Sequence, residues 1–323
     1  MGSLGYIGKK TLHAILTLWF VITFNFFLFR VMPSDPIQLL ARSQHLSADD
    51  IAEQRANLGL DLPLRQQYVL YMKNVLTGNF GVSVRSGEPV IDKIQERVVP
   101  SVLLVGLGTL FSTVFGVLIG IKGAWRRGST FDKSSLYGSL ALYSMPEGWL
   151  GMILIMLLAG TVFAWFPSGG YRSAQDLDGF TYIVDVANHL FLPVLTLTLG
   201  YIGEYAIIMR ASLLEMMGED FVTTARAKGV PDRLVRKRHA VPNAFLPTFT
   251  LIFLSFGFLL GGAIVVEYVF SYPGLGSLAY EAVAELDYPT LEAFFLISSA
   301  AVILFNLVAD ITYGYLDPRI RTA

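Results

Sequence analysis

TTARAKGVPDRLVRKRHAVPN, residues 223–243, carries six Lys/Arg (Arg226, Lys228, Arg233, Arg236, Lys237 and Arg238) and one acid, Asp232. It lies between two long apolar runs in a chain whose mean hydropathy is +0.55. Residues 221–228 can form a short helix. Gly229 stops it, because glycine accepts the left-handed conformation. Pro231 suits the start of a second helix, with Asp232 near the positive end of its dipole. The strip is therefore expected to fold as a helix–turn–helix elbow between two membrane spans. A rigid, charged elbow there can act as a lever. The same charges can instead anchor the topology beside anionic lipids.

The rest of the sequence supports a membrane setting. Of 323 residues, 54% are hydrophobic and 15% charged, against about 25% charged in soluble domains. Net charge is −1, which suggests no nucleic-acid partner. The absence of cysteine excludes disulfides, thiolate metal sites and a Cys nucleophile. MGSLGYIGKK opens the chain and a long apolar run follows. That run is too long for a signal-peptide core and lacks a small-residue cleavage site, so it reads as a retained span. Six spans of the required length are expected: 11–29, 102–121, 140–166, 191–208, 245–266 and 293–311. The third is interrupted at Pro146-Glu147, the fourth contains Glu204, and the sixth ends at Asp310. Several are rich in Gly and Ala, as close packing in lipid favours.

Six spans put both termini on one side. That side carries fifteen Lys/Arg, including Lys9, Lys10, the 122–133 loop and the basic strip. The short loops opposite carry one, Arg172, and the long 33–100 segment carries seven. The positive-inside rule then makes both termini and the strip cytoplasmic. Residues 33–100 have soluble character. SADD at 47–50 fits a helix start. Tyr68, Met72, Val75 and Leu76 follow a helical period that Gly78 can end. Pro89 suits a first helical position ahead of Val90, Ile94 and Val98. A small helical cap follows, either bracing the spans or docking a partner.

No catalytic machinery is visible. The nearest approach to a P-loop, Gly123-AWRR-Gly128-Ser129, lacks the lysine that reaches the phosphates. His13, His45, His189 and His239 show no ligand spacing, and no serine sits in a nucleophile-elbow pattern. The chain reads as a conduit rather than an enzyme.

TARAKG (224–229) followed by RHAVPNAFLP (238–247) resembles the cytoplasmic signature of ATP-binding-cassette importer permeases. More narrowly, it is similar to the B-type permease subunit of the dipeptide/oligopeptide (and nickel) family. FFLFRVMPSDP (26–36), LGLDLPLRQQY (58–68), LTGNFGVSV (76–84), EYVFSYPGLG (267–276) and DPRIR (317–321) extend the match along most of the chain, in order. The resemblance implies an all-α type I importer permease fold. Its parts would be 1–32 as N-terminus and first span, 33–100 as extracytoplasmic segment, and 101–323 as a five-helix permease core. The elbow becomes a coupling helix seated in a groove of a cytoplasmic ATPase. Thr224, Ala225, Arg226, Ala227, Lys228 and Gly229 would be the docking core, with Arg233 beside it. The family's pattern begins E-A-A, where this chain has Thr223, Thr224 and Ala225, so the acid is missing.

The resemblance also implies a homologous second permease and two ATPase subunits (or one fused chain). An extracytoplasmic solute-binding protein would dock outside, in a bacterial or archaeal inner membrane and its lipid. ATP and Mg would belong to the ATPase, with no cofactor on this chain. Peptides are the expected solute; nickel chelates, glutathione or another small solute are alternatives. A stand-alone ion-coupled carrier or channel is the alternative of another class, against which the elbow argues. Ser144, Glu147 and Glu204 are candidate pathway residues, since acids within a span usually face a cavity or a partner. A buried structural pair is the other reading of the two acids. Glu204 and Arg210 are spaced too unfavourably to pair on one face. Glu267, Glu281, Glu285 and Asp287, in a loop without Lys/Arg, are candidates for an acidic outer entrance. Arg30 and Asp35 are expected to form a structural ion pair across the Pro33–Pro36 turn.

Overall fold

The computed structural model describes residues 3–30, 61–160, 163–173, 177–257 and 261–316. The expectations at 47–50, Pro33, Asp35, Pro36 and 317–321 lie outside the described residues. Secondary structure among the described residues is helical apart from one isolated bridge, Val82 with Pro89. Four helices are long and apolar enough to cross a membrane: Gly5–Arg30, Val90–Trp125, Gly179–Met216 and Tyr288–Thr312. Two bent helix pairs raise the number to six if each crosses as one span.

The chain forms two compact units. One comprises the described residues of 1–101, 260–264 and 273–323. Here α1 (Ser3–Arg30) lies antiparallel to the last helix, Tyr288–Leu316. Lys10 Nζ meets Asp310 at 3.0 Å at one end, and Arg30 meets Glu292 at 3.8 Å at the other. Arg30 thus stands beside Glu292, while its expected pairing with Asp35 lies outside the described residues. The second helix, α2 (Leu64–Thr77), packs Tyr68, Tyr71, Met72 and Val75 against Ile22, Phe26 and Leu296. Leu76, expected on that face, is 78% exposed, and Tyr71 occupies the place instead. Asn25 donates to the Tyr71 hydroxyl at 3.2 Å. Burial, reinforced by the Glu292 charge, pushes that phenol up to about 12, so it serves as a neutral hydrogen-bonding group. Gly78 ends α2 at φ 70, as expected.

Helix α3 (Val90–Trp125) starts in this unit, burying Val90 and Ile94 against Leu275, Leu278, Ala293 and Phe294. It continues past Pro100, so residues 90–98 and the second span form one helix.

The other unit comprises the described residues of 102–259 and 265–272. Helix α4 (Thr130–Tyr143) begins at Ser129, whose Oγ accepts the Asp132 N–H at 3.2 Å. Helix α5 (Glu147–Leu154) follows and ends in a π-helical turn, Ile155–Ala159. The expected interruption of the 140–166 span at Pro146-Glu147 is present, and only its expected far end is corrected. α4 and α5 meet at 100°, and 163–166 is not helical. Pro146 explains the break, because its ring removes the N–H a continuing helix needs. Both helices pack on α6 (Gly179–Met216). α3 also approaches α6 closely: a Cβ on Gly116 or Gly120 would lie 2.6 Å from Tyr205 Cβ or from the Ala206 carbonyl. The Gly-rich pattern of the second span is therefore a packing pattern.

After α6 come α7 (Asp220–Ala227) and α8 (Asp232–Val235). A π-helical turn, Arg236–Ala240, leads into α9 (Val241–Ala244). Helix α10 (Leu246–Gly257) is inclined by 47° to the stretch before it. The expected span 245–266 is also corrected: 264–266 belongs to a separate short helix, α11 (Ile264–Val269). Gly262, at φ +69, breaks the chain before it. Helices α12 (Leu275–Ala284) and α13 (Tyr288–Leu316) complete the fold.

Candidate functional site

The basic strip folds as its residues dictate. Gly229 adopts φ +75, and its N–H bonds the Arg226 carbonyl at 2.9 Å. The Val230 N–H reaches the Ala225 carbonyl at 3.2 Å. These two bonds, with Val230 and Ala225 in one apolar cluster, make a Schellman closure. Pro231 then caps α8, its carbonyl accepting from Leu234 N at 2.8 Å and Val235 N at 3.1 Å. An eight-residue helix such as α7 is marginal alone, so packing must hold it. Val222, Ala225, Val235, Ala240 and Ala244 supply that packing against Ala124, Met209 and Leu213.

The same geometry sorts the expected docking residues. Thr224, Arg226, Ala227, Lys228, Gly229 and Arg233 are exposed, whereas Ala225 faces inward. Arg226 is engaged within the elbow: its Nε stands 3.3 Å from Asp232 Oδ1 and its guanidinium 5.6 Å from the Trp125 ring centre. Thr223 donates to the Glu219 carbonyl at 3.0 Å. Beneath the elbow Arg210 grips Asp132 with two bonds, at 2.6 and 3.0 Å, and Gly128 N–H adds a third at 2.9 Å. Arg210 therefore pairs with Asp132 rather than Glu204, and it is not the free loop cation that a charge tally assumes.

Glu147 and Glu204 come together around one phenol. Glu147 begins α5, and its Cγ lies 3.6 Å from where a Gly200 Cβ would stand. Tyr201, next on α6, stands within electrostatic reach of Glu147 and of Glu204 one turn on. Ser144 lies at the bend before Glu147, its hydroxyl donating to the Leu140 carbonyl at 2.8 Å. A Glu–Tyr–Glu cluster at a helix break offers acceptors to a cationic or N–H-rich group. A larger groove of about 610 Å³ runs between α3 and α6, lined by Leu107, Phe111, Phe115, Leu190, Phe191 and Val194 among others. Nearly all its surface is apolar, so the peptide groups of a solute would go unsatisfied there.

The acids of the 267–290 loop are not an unpaired rim. Glu267 has 0% exposure in α11. In the other unit Glu281 meets Arg97 at 3.4 Å and Glu285 meets Arg85 at 3.7 Å. Asp287 is 1% exposed. It accepts from Ser83 Oγ at 2.5 Å, Val84 N at 3.2 Å and Thr290 Oγ1 at 2.7 Å, with Lys93 Nζ at 3.7 Å. Asp287 thereby staples the 82–89 turn to the start of α13. The cations absent from the loop arrive from residues 85–97, which inspection of the loop alone could not reveal.

A family model described as "Binding-protein-dependent transport system inner membrane component" matches residues 112–322. Its N-terminal companion, "Binding-prot-dependent transport system membrane comp, N-term", matches residues 3–104. A protein of Sinorhizobium fredii named probable peptide ABC transporter permease protein y4tP is 36% identical over 316 residues, covering 98% of this chain and 99% of its own. The glutathione transport system permease protein GsiC of Escherichia coli K12 is 37% identical over 318 residues, with the same coverage. The di/tripeptide transport system permease protein DppB of Pseudomonas aeruginosa is 37% identical over 334 residues, again covering 98% and 99%.

Proposed function

This chain belongs to the family of binding-protein-dependent transport inner-membrane components, and from that premise we propose its place in a peptide importer. It is a multi-pass permease subunit of an ATP-binding-cassette importer, in a family that is not catalytic and works with ATPase and binding-protein partners. In our reading it forms one half of the path, opposite a homologous second permease. Two ATPase subunits, or one fused chain, bind ATP and Mg on the cytoplasmic side, where both termini lie. A solute-binding protein delivers di- and oligopeptides from outside. The names of three relatives, which specify peptide, glutathione and di/tripeptide transport, support that solute class.

The observation that carries this reading is the elbow. A closed, well-packed helix–turn–helix turns Thr224, Ala227, Lys228 and Arg233 outward while its inner face is apolar. That is the form of a part that must be held by one body and pushed by another. Glu219 and Asp220, exposed at the start of α7, supply the acid missing at Thr223. They also suit the positive end of that helix. Glu147, Tyr201 and Glu204 receive the peptide's ammonium or a basic side chain. Alternating access then moves this cluster from one face to the other.

The test is uptake by the complex in vesicles loaded with ATP, with the binding protein outside and a panel of competing peptides. Uptake that needs ATP, the ATPase and the binding protein, and that peptides compete, is expected. Full uptake by this chain without any ATPase contradicts the proposal.

A further inference from the structure

One ring in the elbow's neighbourhood has no part in the outward surface just described. Trp125 is the last residue of α3, a helix that runs unbroken for 36 residues from Val90. Two guanidiniums stand over its indole: Arg226 at 5.6 Å and Arg236 at 5.7 Å from the ring centre. Arg226 belongs to α7 and Arg236 follows α8, so the two arms of the elbow hold the same ring. Arg226 also reaches across the turn to Asp232 at 3.3 Å. Trp125 itself packs on the cluster formed by Val222, Ala225 and Val235.

Two cations brought to one site repel each other. The negative face of an indole offsets that repulsion better than any other ring. The planar guanidinium also stacks where an ammonium does not. Without the ring, Arg226 and Arg236 lose the feature that draws them together, and the elbow loses two cation–ring contacts to α3. The basal apolar packing of Ala225 and Val235 would still hold the strip in place.

Resting on the coupling-elbow reading above, we propose that Trp125 is a positioning residue that ties both arms of the elbow to α3 and carries their movement into that span. Arg226 and Arg236 are then internal braces rather than contacts to the ATPase. Docking falls to the outward-facing Thr224, Ala227, Lys228 and Arg233.

The experiment uses the whole complex in vesicles and reads solute imported per ATP hydrolysed for wild type, Trp125→Ala and Trp125→Phe. Because the chain has no cysteine, Thr224→Cys gives a single cross-linking site in each background. Trp125→Ala should keep its cross-link to the ATPase and its hydrolysis, while import per ATP falls about five- to ten-fold. Trp125→Phe, which retains a weaker ring face, should recover most of that loss. An unchanged import ratio in Trp125→Ala, with the cross-link intact, overturns the proposal and leaves the elbow reading standing. Absence of the cross-link in the wild-type background overturns both. If Trp125→Ala does not assemble, Arg236→Gln removes one brace from the polar side. A fall of about three-fold in its import ratio supports the joint, and an unchanged ratio overturns it.

Discussion

Gly229 holds the elbow's turn at φ +75, with open space around the position where a Cβ would stand. The demand there is conformational rather than steric. A β-branched residue is an outlier at positive φ and costs on the order of 1–3 kcal/mol. Gly229→Ile should therefore distort the angle between α7 and α8 without disturbing the spans. Hydrolysis by the assembled complex is expected to persist while import per ATP drops about ten-fold or more. Equal import by the variant would remove the turn from the mechanism. Glu147→Gln and Glu204→Gln belong to the same scale. Each keeps the shape and removes a charge beside Tyr201, so import of basic peptides should weaken more than that of acidic ones. Identical competition profiles across a peptide panel would make the cluster structural. Gly229 and Pro231 are legible in sequence because a turn's chemistry is local. Tyr201 is not, because its meeting with Glu147 depends on a 100° bend between α4 and α5.

Among the elements, α4 and α6 are locked by Asp132 and Arg210. This pair is bidentate, and the carboxylate is buried. Removing one partner strands the other, which costs about 3–5 kcal/mol in buried pairs. Asp132→Ala should accordingly lower the thermal midpoint of the purified complex, and Asp132→Leu with Arg210→Met should recover much of it. An Asp132→Ala protein as stable as wild type would show the lock to be dispensable. The loop acids teach a related lesson. Glu281 and Arg97 are 184 positions apart, so a composition count over 267–290 sees only the negative half of each pair. Such exposed pairs are worth at most about 1 kcal/mol each. Asp287, by contrast, gathers Ser83, Val84 and Thr290 at a buried point. Asp287→Ala should loosen the 82–89 turn, read as faster amide exchange there, with little change at the elbow; uniform exchange in both would count against the staple.

Across the whole molecule, period and length disclosed the spans well, and Pro146 disclosed one of their two breaks. The helices Gly5–Arg30, Gly179–Met216 and Tyr288–Thr312 contain the expected runs 11–29, 191–208 and 293–311. The interruption of the third span was legible at Pro146-Glu147, but its 100° angle and the break at Gly262 were not, because a hydropathy window averages backbone geometry away. Trp125 was invisible for another reason: a ring bracketed by cations from two later helices is a tertiary event. The elbow joins these scales. Its turn is set by Gly229, its packing by α3 and α6 and, on the proposed function, its purpose by a partner chain. That purpose is tested most directly by placing single cysteines at Thr224, Ala227, Lys228, Arg233, Val222 and Ala225 and cross-linking the assembled importer. The account predicts ATPase adducts at the four exposed positions and none at the two buried ones. No adduct at any of the four, in a complex that still imports solute, would contradict it.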